Sequence, residues 1–236
     1  MAIRFTQNYQ AVSAESADFQ GLKTSNVTER TSPRRGLYRR YGKRTLDIVL
    51  VLISAPLVLL LLLPMIALIA MDGGRPFYSQ MRVGVNGSSY RMWKLRSMVE
   101  NAEEKLSVYL AENPEAKAEW DRDQKLKNDP RITRVGKIIR KTSLDELPQL
   151  WNVLKGEMSI VGPRPMMINQ RRMYPGKHYY ALRPGITGAW QVSSRNDSTF
   201  AERALFDARY NRSLSFREDL RIIGTTVGVV LRGTGH

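Results

Sequence analysis

Residues 48 to 71 contain no charged side chain, and this run of 24 residues constrains the chain more than any other feature. About 20 apolar residues cross a bilayer as a helix, so a stretch of this length places the fold at a membrane. It begins too far from the N-terminus, and is too long, for the apolar core of a secretory signal peptide. Asp47 and Asp72 bound it, and Pro56 and Pro64 interrupt it. Each proline removes a hydrogen bond from a helix interior and favours a bend, so the segment can turn and leave on the side it entered.

The flanks bear on that topology. Arg34, Arg35, Arg39, Arg40, Lys43 and Arg44 precede the run, opposed only by Asp47. Arg75, Arg82, Arg91, Lys94 and Arg96 follow it, with only Asp72 opposing them before Glu100. The positive-inside rule draws both ends to the cytoplasm. A single crossing strands one basic flank outside, whereas a re-entrant hairpin satisfies both, and the flanks leave the two open.

The net charge of +15 calls for anionic partners: lipid headgroups, nucleotides or nucleic acid. No cysteine is present, which excludes disulfides and thiolate chemistry, and two histidines, His178 and His236, make a poor basis for zinc. Any metal is therefore expected on oxygen ligands, with Mg²⁺ the natural candidate. Three regions follow from composition. Residues 1–33 are polar, without a sustained apolar period, and read as a flexible tail. Residues 34–76 are the basic flank and the membrane-embedded apolar segment, a helical hairpin in the re-entrant alternative. Residues 77–236 are long enough for a compact domain with its own core.

Within that domain, residues 77–98 read as a β-hairpin turning at Asn86-Gly87, on which Lys94 and Arg96 alternate and so share a face. Residues 99–126 read as two solvated helices divided by Pro114. A turn at Asp129-Pro130 leads through 135–140 toward a pair of acids. A turn-rich loop is expected at 183–188, and a helix over 200–211 with Leu205, Phe206 and Tyr210 on its apolar side. The apolar stretch 220–231 packs on the core or lies at the membrane interface.

The densest chemistry lies in residues 142–165. Ser143 and Glu146 have the spacing of a capping box, which places Asp145 and Glu146 in the first turn of a helix running toward Leu154 and ended by Gly156. Pro148 falls inside that helix and makes its first turn irregular. In one reading the two acids only satisfy free N–H groups and the helix dipole, worth about 0.3–1 kcal/mol each. In the other, a carboxylate held at a helix start attacks phosphorus or holds a divalent cation. The surroundings favour the second: Arg140 and Lys141 precede the acids, and Gly162-Pro163-Arg164-Pro165 follows a short strand over 158–161. An acid dyad beside fixed arginines suits a nucleotide diphosphate.

Taken in order behind a basic-flanked apolar run, six motifs are highly specific. They are Lys43-Arg44 with Asp47, Gln80-x-Arg82-x-Gly84, Lys94-Leu95-Arg96-Ser97-Met98, Leu144-Asp145-Glu146-Leu147-Pro148, Val161-Gly162-Pro163-Arg164-Pro165 and Arg183-Pro184-Gly185-Ile186-Thr187-Gly188. From Lys43 to about Thr226 the chain resembles the small monotopic phosphoglycosyl transferases that begin bacterial exopolysaccharide, capsule and glycan assembly. The resemblance implies a helix-rich α+β monotopic membrane protein, with one kinked, re-entrant apolar helix and a catalytic domain on the cytoplasmic face of the bacterial inner membrane. It implies that Asp145 attacks the β-phosphate of a UDP-sugar and expels UMP. A polyprenol phosphate, such as undecaprenyl phosphate, then takes the sugar phosphate.

On the same grounds Glu146 is the dyad partner and Mg²⁺ sits at Asp145 and Glu146. Lys94, Arg96, Arg140, Pro163, Arg164, Pro165 and Arg183 face the substrate, and Asp219 supports the site. Membrane lipids are implied as partners and nucleic acid is not, while a homodimer is compatible. One departure concerns the bend: many members turn at a single Ser-Pro pair, whereas this chain has Ser54-Ala55-Pro56 and then Pro64. The closest likeness is to the initiators that transfer galactose phosphate, with glucose phosphate the nearest rival. A basic membrane-anchored binding or scaffold protein without catalysis is the alternative. Its binding would be salt-sensitive and indifferent to Asp145.

Overall fold

The computed structural model describes residues 36–123, 126–193, 200 and 202–231. The tail expected over 1–33, together with Arg34 and Arg35 of the basic flank, lies outside the described residues.

The apolar run folds as one helix, α1 (Lys43–Met71), which continues a π-helical turn at Tyr38–Gly42 and contains both prolines. It is the one described helix long and apolar enough to cross a membrane. Leu52, Ile53, Leu57, Leu60 and Leu63 project from it with most of their surface uncovered by protein, an apolar area that water would not tolerate. Only its ends dock. Val51 joins a core with Tyr90, Met92, Val153 and Met158, and Ile69 joins another with Leu95 and Ile139.

After α1 the chain forms the expected hairpin, β1 (Phe77–Val83) against β2 (Ser89–Leu95), with Arg82 opposite Tyr90. Its turn uses Asn86 (φ 55°) and Gly87 (φ 76°), residue types that tolerate the left-handed region. Helices α2 (Ala102–Glu112) and α3 (Pro114–Asp123) divide at Pro114, which opens α3 where its missing N–H costs nothing. None of α2 is buried, as its composition requires. Helix α4 (Arg134–Lys141) is capped by Thr133, whose Oγ1 accepts from Gly136 N at 2.9 Å. Then come α5 (Gln149–Lys155), ended by Gly156 at φ 82°, and β3 (Ser159–Val161).

Strand β4 (Met166–Met167) pairs with the free edge of β1, giving the order β2-β1-β4. The expected loop at 183–188 instead contains a strand, β5 (Gly185–Thr187), parallel to β3. Gly162 makes this approach possible, because a Cβ there would press into the backbone of Arg183 and Gly185. Three helices close the domain: α6 (Ala189–Ser193), α7 (Arg203–Ser213) and α8 (Phe216–Leu231). On α7, Tyr210 is buried as expected, but Leu205 faces outward at 57% exposure. On α8, Ile222 is buried while Leu220 and Val227 are exposed, so it both packs on the core and offers an apolar edge. The fold is helix-rich α+β, as expected.

A buried ionic cluster fixes the base of α1 to this domain. Lys43 Nζ lies 2.9 Å from Asp219 and 3.8 Å from Asp47. Asp219 also accepts from the hydroxyls of Tyr38 and Tyr210. Asp47 accepts from Ser159 Oγ at 2.9 Å and Ile160 N at 3.0 Å. Arg44 donates to the last carbonyls of α5, Val153 at 2.5 Å and Leu154 at 2.7 Å, where a cation also complements the helix dipole.

Candidate active site

The acid pair sits on a 3₁₀ turn, Leu144–Glu146, and not in the first turn of an α-helix. The expected capping box does not form. Ser143 is left-handed (φ 56°) and its side chain makes no cap bond, because the turn follows directly on the end of α4. Pro148 precedes α5 as its N-cap instead of lying inside a helix, so it interrupts no hydrogen bond. Helix α5 is held to β2 by Asn152, which is fully buried: its Oδ1 accepts from Trp93 N at 3.1 Å and its Nδ2 donates to Arg91 O at 2.7 Å. The tie sets the dyad turn beside Lys94.

Lys94 Nζ donates to Asp145 Oδ2 at 3.2 Å and to Glu146 Oε1 at 2.9 Å. Burial pushes the Asp145 carboxyl above the usual carboxylate range; Lys94 pulls it back, Glu146 adds to the rise, and Arg140 lies near enough to pull it down. For Lys94 burial opposes the charged form, but Glu146 and then Asp145 outweigh it, so the ammonium is held more firmly than usual. The pair therefore shares one fixed cation within a largely desolvated turn.

Beside the dyad opens a cavity of about 180 Å³, lined among others by Arg82, Lys94, Glu146, Arg164, Pro165 and Arg203. Three of these are guanidinium groups arriving from β1, from the turn after β3 and from α7. Arg164 stacks over the Trp190 ring at 5.7 Å, and Arg203 lies over Trp190 at 4.7 Å and Phe200 at 4.8 Å. A cavity with this lining suits a polyanion.

Of the residues expected from the sequence, the structure brings together Asp145, Glu146, Lys94, Arg164 and Pro165, with Arg140 close behind Asp145. Arg96 does not join them. Strand β2 ends at Leu95, so the alternation that would align Arg96 with Lys94 stops, and Arg96 Nη2 donates to Ile69 O at 3.0 Å. Arg183 donates to Gly156 O at 2.9 Å, and the Pro163 carbonyl accepts from Gly185 N at 2.8 Å; both hold the backbone. Asp219 belongs to the cluster at the base of α1. Sequence reasoning missed two of the cationic lining residues. Arg82 stood in a quoted motif with no role assigned, and Arg203 carries no local signal at all.

The carboxylates of Asp145 and Glu146 are hard oxygen donors that already converge on one cation. Among the described residues no group of three acids or histidines could enclose a metal. Such a pair fits Mg²⁺, which ordinarily takes one or two carboxylates and completes its shell with phosphate and water.

An acid dyad with a shared lysine, at the rim of an arginine-lined cavity and in a chain with a long exposed apolar helix, marks a membrane-associated protein with a site suited to phosphorylated ligands. The model of the family described as bacterial sugar transferase matches residues 38–233, and the chain belongs to that family. It is 50% identical over 198 residues to the UDP-galactose-lipid carrier transferase of Erwinia amylovora, covering 83% of this chain and 42% of that protein. It is 45% identical over 217 residues to the undecaprenyl-phosphate galactose phosphotransferase of Salmonella typhimurium, covering 89% and 43%. To the exopolysaccharide production protein ExoY of Rhizobium meliloti it is 42% identical over 201 residues, covering 82% and 87%. The chain thus spans less than half the length of the Erwinia and Salmonella relatives and most of the Rhizobium one.

Proposed function

We propose that the chain transfers a sugar 1-phosphate from a UDP-sugar to a polyprenol phosphate, releasing UMP, as the first membrane step of exopolysaccharide synthesis. The observation that carries this reading is the Asp145–Lys94–Glu146 cluster opening on a cavity with three guanidinium groups. A carboxylate oxygen of Asp145 attacks the sugar-bearing phosphorus. The bond from that phosphorus to the bridging oxygen breaks, and its electron pair leaves with UMP. A phosphate oxygen of the polyprenol phosphate then attacks the same phosphorus, yielding a polyprenyl diphosphate sugar and regenerating the Asp145 carboxylate. Lys94 keeps Asp145 ionised against burial and offsets charge on the phosphate, while Glu146 fixes the ammonium between them. Mg²⁺ bound by Asp145 and Glu146 would neutralise part of the diphosphate charge.

The names of the Erwinia and Salmonella relatives favour galactose as the sugar, and the glucose-1-phosphate transferase of Escherichia coli, 38% identical over 203 residues, keeps glucose next. The proposed topology is a re-entrant α1, with the domain on the cytoplasmic face of the inner membrane. Two contacts support it. Val51 and Ile69 are about 27 Å apart along a straight helix, yet they pack in the clusters of Met92 and Leu95, about 10 Å apart on one strand. A helix that packs on one domain at both Val51 and Ile69 fits a bend that returns it to the side it left. In intact cells, tags at both chain ends should resist external labelling; labelling of exactly one end would establish a crossing.

The deciding experiment is UMP release by detergent-solubilised protein with Mg²⁺ and undecaprenyl phosphate over a panel of UDP-sugars. Release with one sugar, abolished in Asp145→Asn, is expected. Full turnover by that variant would refute the covalent mechanism. No release by the wild type with any sugar would turn the reading to a non-catalytic membrane-anchored protein.

A further inference from the structure

Arg82 is buried, with 8% of its surface exposed, and lines the cavity from β1. Its Nη2 donates to Gln80 Oε1 at 2.7 Å, but Nε and Nη1 are buried without a partner among the described residues. The charged and titratable groups whose fields reach it are Tyr90, Tyr78, Tyr179 and Arg164, and none is a carboxylate. Arg131 makes the contrast. It is equally buried, yet it is clasped by Asp129 through contacts of 2.8 Å and 2.6 Å. Across the hairpin from Arg82, Tyr90 likewise buries a hydroxyl with no partner.

An unpaired buried guanidinium is costly, because it gives up hydration without gaining a counter-charge. A fold retains such a group where an anion arrives to complete it. The cavity supplies the route, and Arg164 and Arg203, on the same wall, reinforce the demand for negative charge. We propose that Arg82 is the receptor for the nucleotide phosphate, the one that departs as UMP. The proposal rests on the reading above, in which the dyad engages the sugar-bearing phosphate. The second phosphate of the diphosphate then falls to the guanidinium wall. Trp190, over whose ring both Arg164 and Arg203 lie, holds those two guanidinium groups at the cavity. As the bridging bond breaks, negative charge grows on the oxygen that leaves with UMP. The Arg82 guanidinium answers it with a fixed positive charge and transfers no proton.

The test uses UMP alone as the probe, on the full chain in detergent, with thermal unfolding and a direct binding titration. Wild type should unfold at a higher temperature with UMP. Arg82→Met should keep an equal or higher midpoint without ligand, since it removes an unpaired buried charge, but lose the UMP-induced rise and bind UMP at least tenfold more weakly. Arg82→Lys should recover part of the affinity. Unchanged UMP affinity in Arg82→Met would overturn the proposal. So would a lower ligand-free midpoint that Arg82→Lys restores without restoring UMP affinity, which marks a structural role. A short-chain polyprenyl monophosphate serves as the second probe. If Arg82→Met weakens it and spares UMP, the group serves the acceptor and the assignment fails. Asp145→Asn should bind UMP like the wild type, so loss of this inference and loss of the covalent mechanism are separable.

Discussion

Asp207, on α7 one turn after Arg203, is 7% exposed and accepts from the Tyr174 hydroxyl at 2.7 Å. Burial raises its pKa from 3.8 to about 6, against the opposing pull of Tyr174 and Arg203. The folded protein therefore holds this proton over a range in which the unfolded chain has lost it. The stabilisation is fully present below about pH 4 and is lost as pH rises through about 6. A shift of about two pKa units corresponds to at most about 3 kcal/mol. Asp207→Asn keeps an oxygen for Tyr174 and cannot ionise, so it should remove this loss. Melting in detergent from pH 3 to 8 is the assay. The two proteins should melt together at the acid end and diverge toward pH 8, with the variant higher by several degrees and at most about 10 °C. Taking the difference between the two curves cancels the other titrating groups. A variant equal to wild type at pH 3 but less stable at pH 8 would refute the reasoning, since it would mean that the carboxylate is ionised and paired with Arg203.

Lys43→Met leaves Asp219 and Asp47 buried without their cation and should cost about 3–5 kcal/mol. Adding Asp219→Asn should recover part of this, and melting curves for both singles and the double would expose any failure of the coupling. Asn152→Ala strands the Trp93 N–H and the Arg91 carbonyl, at about 1–3 kcal/mol for each group. Because Lys94 follows Trp93 in the chain, UMP release should fall along with the melting temperature. Unchanged melting would show that water replaces both bonds.

What could be read from the sequence was local. The hairpin turn declared itself because Asn86 and Gly87 are residue types that accept positive φ, and the break at Pro114 because proline opens a helix more readily than it continues one. The capping box failed on the same ground. Ser143 and Glu146 have the right spacing, but the spacing does not reveal that Ser143 lies at the abrupt end of α4, where its backbone turns left-handed. Lys94 and Arg96 were assigned one face by alternation, which holds only while a strand lasts, and β2 stops between them. The cationic wall was least legible. Arg82, Arg164 and Arg203 come from a strand, a turn and a helix far apart in the chain, and no periodicity links them. In a chain with so many basic residues, only burial without a partner distinguishes Arg82 from its neighbours.

The placement of the dyad relative to the membrane helix follows from chain adjacency. The cluster that receives the end of α1 consists of Ile69, Leu95 and Ile139, with Leu144 packed against it. Three of the four domain residues there, all but Val135, have a functional candidate as immediate neighbour: Lys94 precedes Leu95, Arg140 follows Ile139 and Asp145 follows Leu144. The apolar side chains grip the helix while their neighbours turn toward the site, so docking α1 and assembling the charged cluster are a single packing event. Arg96 adds a polar tie to the same helix end through Ile69 O. Under the proposed re-entrant topology, a phosphate carried on a lipid would then meet Lys94 and Asp145 at the helix end without leaving the membrane surface. The arrangement also explains why a residue that only holds the helix, such as Arg96, stands two positions from one that faces the dyad.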